Sequence, residues 1–225
     1  MRYLLVSLLV GCLSGLNAQT DSTSYKYDLS IDLGIGRNSG SGHIALHRDW
    51  RFGKADRIFV GAGIRTSMFT GRNVYFTSAP PDLAASSQLQ DSILAPTPFI
   101  YDLNVMIQFG VNFTSKLKVG FNIDLAGVSF GPHGRPTFIS DGVEEEIQVM
   151  PTPLNLLLVG ANDRGSLVSQ LFFRYRFTER LSAQASLVTM VNELTTNTES
   201  QIDPVENRRF RSLQNQLSAG VSFRL

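Results

Sequence analysis

The 225-residue chain has little of what redox and metal chemistry needs: one cysteine, three histidines and one tryptophan. A single cysteine, Cys12, cannot close an internal disulfide or build a multi-cysteine metal site. Charge of one sign is also missing. With 20 Lys and Arg against 19 Asp and Glu the net charge is +1, so no global field draws nucleic acid or acidic partners. Long apolar runs are absent beyond the N-terminus, where none approaches the ~20 residues of a membrane helix. Mean hydropathy is close to zero, and no compositional break divides the chain, which predicts one domain.

The N-terminus reads as an export signal. Arg2 supplies a short basic start, Leu4 to Leu13 an apolar stretch too short to span a bilayer, and small or polar residues run on to Ala18. Cleavage is expected after Ala18, giving a signal peptide over 1–18 and a mature domain over 19–225. Leu9-Val10-Gly11-Cys12 also has the form of a lipidation box. The apolar core before Cys12 is very short for that reading.

What is abundant is alternation. Tyr25, Tyr27, Leu29, Ile31, Leu33 and Ile35 oppose Lys26, Asp28, Ser30, Asp32, Gly34 and Gly36, a period of two that no helix shows. Tyr101 to Phe113 repeats it, as does Leu117 to Leu125 against Lys118, Gly120, Asn122, Asp124 and Ala126. So do Leu171 to Phe177, Leu181 to Val191 and Leu213 to Leu225, with weaker segments near 41–50 and 57–70. Eight strands result, and an added hairpin in the connection near 131–165 would make ten.

The connections discriminate between a water-soluble sandwich and a membrane barrel. Those near 51–56, 114–116 and 178–180 are short, while those near 71–98, 131–165 and 193–209 are long. Short periplasmic turns alternating with long outer loops are the pattern of bacterial barrels. The expected fold is all-β: an eight-stranded antiparallel up-and-down transmembrane β-barrel with both termini in the periplasm.

On that reading the polar face is the lumen, which eight strands leave just wide enough for side chains to fill. Its charges are Lys26, Arg65, Lys118, Arg174, Arg176 and Arg224 against Asp28, Asp32, Asp49, Asp102 and Asp124. Six against five can pair, as buried charges must, which predicts an ion-paired polar plug and not an open pore. Aromatics belong at both lipid interfaces: Tyr25, Tyr27, Trp50, Phe113, Phe177 and Phe223 at one end, and Phe69, Phe99, Tyr101, Phe130 and Phe210 at the other.

The C-terminal Ser218-Ala219-Gly220-Val221-Ser222-Phe223-Arg224-Leu225 resembles the terminal signal of outer-membrane proteins. Gly220, Phe223 and Leu225 carry the likeness, with the usual final aromatic standing at Phe223. The mature chain is similar to the broad Gram-negative outer-membrane β-barrel class that includes OmpA-like and OmpW-like barrels. That resemblance implies outer-membrane lipid as surroundings, escort by periplasmic chaperones and insertion by the barrel-assembly machinery. It implies no particular activity. A monomer without nucleic-acid partner, cofactor or metal is expected.

Three features are candidates for chemistry. His43, His47 and Asp49 share the lumenal face of the second strand, and the bland reading, an interior hydrogen-bond network, is preferred because no motif singles out a nucleophile. Glu144-Glu145-Glu146 reads as a solvated acidic loop, lacking the six to eight oxygens calcium takes, and His133 in Gly131-Pro132-His133-Gly134 as a surface residue. Leu154, Leu156, Leu157 and Leu158, preceded by Pro151 and Pro153, are expected to pack within the protein or to meet a ligand or partner.

No catalytic residue is assigned. The preferred expectation is a plugged barrel acting structurally or through its outer loops, in surface contact or adhesion. A narrow channel or transporter for small or apolar solutes, and a lipid-modifying enzyme using His43, are the alternatives.

Overall fold

The structure, a computed structural model, describes residues 27–53, 56–84, 89–140, 143–158, 162–198, 200–202 and 205–225. The signal peptide, Cys12, Tyr25 and Lys26 lie outside the described residues. The strands in order begin with β1 (Asp28–Ile35), β2 (Ser39–Phe52), β3 (Ile58–Gly71), and the short β4 (Val74–Ser78) and β5 (Ser92–Ala95). Next come β6 (Phe99–Asn112), β7 (Leu117–Phe130), β8 (Thr137–Ser140), β9 (Val143–Glu146), β10 (Val149–Pro151) and β11 (Leu154–Leu156). β12 (Leu167–Arg176), β13 (Leu181–Thr196) and β14 (Arg209–Arg224) complete the chain.

Strands β1, β2, β3, β6, β7, β12, β13 and β14 pair antiparallel, each with the next. Pairing of β1 with β14, from Asp28↔Arg224 to Ile35↔Leu217, closes the circle. The fold is a closed eight-stranded antiparallel β-barrel, and the short strands do not enlarge it to ten. Alternation drives this closure: along β14, Leu213, Leu217, Val221 and Phe223 face outward while Ser212, Gln216, Ser218 and Ser222 are buried inside. Closing the sheet also leaves no strand edge in the wall.

Two parts of the sequence reading need correction. Beyond Leu125 the expected alternation fails, because the register with β6 shifts between Val105 and Met106. Ala126 therefore pairs with the outward Val105, while Gly127 opposes Asn104 and Ser129 is buried. A bulge adds one residue and so exchanges the faces that follow it. The last connection is also shorter than expected, since β13 runs to Thr196 and β14 starts at Arg209. Glu193 suggests a loop in sequence, yet it pairs across the ladder with Arg211, and both Arg209 and Arg211 satisfy its carboxylate at 2.8 and 3.0 Å.

The short strands all build the end opposite the short turns. β4 joins β14 at Phe210↔Ser78, β5 joins β4, β8 joins β5 and β9 joins β8. The barrel wall thus continues from β14 into a four-stranded sheet. Glu144, Glu145 and Glu146, expected in a loop, form most of its outermost strand β9 and are exposed. Above the start of β12, β10 pairs with β13 and β11 with β7, so the segment 149–156 completes the wall where β12 is absent.

The outward face leaves large apolar residues bare: Leu33 is 68%, Ile35 77%, Leu213 62% and Leu217 71% exposed. In water such a girdle would drive association, whereas a transmembrane barrel carries an outward apolar band of this kind. Tyr27, Phe113, Phe177 and Phe223 are exposed at the short-turn end, and Tyr101 and Phe130 at the other.

Candidate functional site

Inside the wall, the inward side chains stack in layers from the short turns outward. In the first, Asp28 meets Arg224 at 3.4 Å, and Arg174 and His47 at 3.8 Å. Asp49 accepts hydrogen bonds from Lys118 and Gln108. The Lys118 ammonium lies 3.9 Å from the ring centre of Phe59, and the Arg174 guanidinium 5.1 Å from that of Phe172. Cations held over aromatic faces are stabilised by the ring quadrupole, so these phenylalanines belong among charges.

Room for Phe59 comes from two glycines. Gly110 and Gly120 face each other across β6 and β7. A Cβ on either would stand 2.7 Å from the tip of the Phe59 ring, and one on Gly120 equally near Phe172. Glycine in a strand interior marks such a close approach.

The next layers are tied by Gln184, which accepts from Arg174 and donates to Asp32, both at 2.9 Å. Above it, Arg65 donates to Asp124 at 2.6 Å, to Asn122 at 2.6 Å and to the Val168 carbonyl at 2.5 Å. Asn104 donates to both Asp102 and Asp124. Of the eleven charged residues expected to pair in the lumen, ten lie among the described residues, and two of these, Asp32 and Asp102, are held by the amides of Gln184 and Asn104. Arg176 sits at the inner mouth and donates to the Ser115 carbonyl.

One member of this network escaped the sequence reading. Asn155, in the middle of the leucine segment, is fully buried, donates to Asn104 at 2.8 Å, and accepts from Ser129 and from the Ser166 amide. The signal for it is local: Leu154-Asn155-Leu156 is itself an alternation, within an otherwise apolar run. Leu154 is exposed, Leu156 and Leu157 half-buried and Leu158 exposed, and Leu154–Leu156 pairs with β7 as part of the wall.

The expectation of a wholly polar plug needs a further correction. Towards the outer end the lumen turns apolar: Phe69, Ile100, Val168, Val188, Met190 and Phe210 are buried there. Phe76, Ile93, Phe138 and Val149, from the short outer strands, pack onto them in one cluster. Phe69 and Phe210, expected at the outer lipid interface, point inward instead: like Ile100, Val188 and Met190 they occupy the polar phase of their strands, and the short outer strands cover them.

His43, His47 and Asp49 do share one inward face, and a serine lies in reach: Ser41 Oγ is 2.8 Å from His43 Nε2. The Ser41 hydroxyl, however, donates to Gln216 at 2.5 Å. That is the reverse of an activated serine, which gives its proton to the histidine. Asp28, His47 and Asp49 bring their ligand atoms within 4.8 Å of one another, but Lys118, Arg174 and Arg224 already neutralise the two carboxylates. Their chemistry is that of an ion-pair cluster.

No family model matches this sequence, and no curated protein matches it. Among solved structures it is similar to Neisserial surface protein A, with 11% identity over 89% of this chain and 95% of that one, at a TM-score of 0.37. A major outer membrane protein of Thermus thermophilus has 10% identity, coverage of 90% and 100%, and a TM-score of 0.39. The Pseudomonas putida toluene transporter TodX has 8% identity, 90% coverage of each chain and a TM-score of 0.27. The class rests on the chain's own closed wall, bare apolar girdle and charged interior: these define a small transmembrane β-barrel.

Proposed function

We propose that this barrel keeps its lumen closed and acts through the sheet it raises beyond the membrane, as a surface-contact or adhesion protein. In this reading the short turns, the start of β1 and the end of β14 face the periplasm. The Arg224 amide bonds the Arg180 carbonyl and the Leu225 amide that of Tyr27, so both ends stand beside a short turn, and long outer loops are the rule for such barrels. The observation that carries the proposal is the doubled seal: an ion-paired lumen beneath an apolar cluster to which four of the short outer strands contribute. An ion entering would lose its hydration among phenylalanines without replacement ligands.

Planar-bilayer recording tests this directly. Purified barrel should give no steady conductance, and a large, stable single-channel current would overturn the proposal. Replacement of the exposed β9 residues Glu144, Glu145 and Glu146 by lysine should leave insertion intact while abolishing attachment of cells that display the protein.

A further inference from the structure

The outer cap contains a pocket of about 280 Å³ between the approach to β6, the stretch after β7, β10 and the top of β13. Its floor consists of Ala95, Pro98, Pro136, Val149 and Leu194, all buried and all apolar. Its rim carries Thr97, His133 and Arg135, all exposed. The floor is the outer side of the apolar cluster that closes the lumen, since Ala95, Val149 and Leu194 belong to it, while the rim carries the cation Arg135 beside an imidazole.

The walls are firmly held. Gly134 and Val149 exchange both backbone hydrogen bonds at 2.9 and 3.0 Å, and the Ile147 amide bonds the Pro136 carbonyl at 3.1 Å. Opposite, the carbonyls of Pro96 and Pro98 accept from Asn73 and Gly71. Proline has no amide hydrogen and a fixed φ. The four prolines that line the pocket, Pro96, Pro98, Pro132 and Pro136, therefore add apolar surface without adding donors. A preformed cavity loses little entropy on binding.

At ~30 Å³ per water the pocket has the volume of roughly nine waters, just under the usual range for drug-sized ligands. A compact molecule fits. Arg135 pairs with Glu146 at 3.7 Å, with both side chains exposed, a pairing weak enough for another carboxylate to replace.

We propose that this pocket binds a small anionic amphiphile, an apolar body seated on Ala95, Val149 and Leu194 with its carboxylate at Arg135 and His133. The site goes beyond the surface-contact reading and does not depend on whether the lumen conducts.

The test is solution NMR of labelled barrel in phosphatidylcholine nanodiscs, titrated with benzoate and with uncharged benzyl alcohol. Benzoate should give saturable shifts at the Gly134 and Arg135 amides and at the Ala95, Val149 and Leu194 methyls. Thr97→Trp, an exposed substitution that fills the mouth, should abolish them. Arg135→Gln should weaken benzoate by roughly three- to fivefold and leave benzyl alcohol unchanged, whereas Glu146→Gln should strengthen benzoate. Absence of saturable shifts, unaltered binding by Thr97→Trp, or shifts centred on the lipid-facing Leu33, Ile35 and Leu213 would overturn the proposal. Equal binding of the neutral probe, unaffected by Arg135→Gln, would overturn the assignment of an anionic ligand.

Discussion

Arg65 and Asp124 form an ion pair deep in the barrel, with Nη2 and Nε of the arginine donating to one carboxylate oxygen at 2.6 and 3.1 Å. Arg65 is 1% exposed and Asp124 not at all. The pair stitches β3 to β7, and through the Val168 carbonyl and amide it reaches β12 as well.

Removing one partner leaves the other charge buried and alone. Arg65→Leu should destabilise the barrel by about 3–5 kcal/mol, read by urea unfolding of micelle-refolded protein. Arg65→Leu combined with Asp124→Leu should recover much of the loss. Equal stability of the single variant and the parent would mean that the pair contributes nothing to the fold.

Gly120→Val should destabilise by about 1–3 kcal/mol through overpacking, because the new side chain meets Phe59, Phe172 and the Phe109 carbonyl. Much of the loss should return when Phe59→Ala is added, provided the ring is the main obstacle. The measurement is the same unfolding midpoint, compared across the two single variants and the double one.

The apolar girdle makes a prediction that depends on depth. Leu217→Arg should cost about 2–4 kcal/mol if it lies near the bilayer midplane, seen as a lowered yield of folded barrel in lipid vesicles. At Leu225, by the end of the wall, the same change should cost about 0–1 kcal/mol. Comparable yields for the two would place the girdle elsewhere than in lipid.

Strand β9 is an edge, and Glu144, Glu145 and Glu146 charge it. Charged edge strands resist pairing with other chains. Replacement of all three by threonine should raise concentration-dependent association above that of the parent, visible by light scattering of the detergent-solubilised protein.

Alternation alone made the wall legible. The period of two assigned every strand of the barrel and placed Asp28, Asp32, Arg65, Asp102, Asp124 and Arg174 inside it, because a strand's two faces are fixed by its backbone geometry. The terminal pattern at Gly220 also acquires a local cause: a Cβ there would stand 2.4 Å from Asp32 Oδ1 and 2.2 Å from the Ile31 carbonyl, so glycine lets β1 and β14 close.

Sequence by itself determined the wall segments, the faces they show, the alternation of short and long connections, and the near balance of expected lumenal charge, while the choice of eight strands over ten waited for the closed sheet. Only the tertiary structure decided which charges meet, where the bulge after Leu125 exchanges inside for outside, and how the outer segments return to seal the mouth. The physical reason is range. Side-chain direction along a strand is a local property, repeated every two residues. The pairings Arg65 with Asp124, Asn155 with Asn104 and Phe138 with Phe210 join residues far apart in the chain, and contacts of that kind exist only once the sheet has closed.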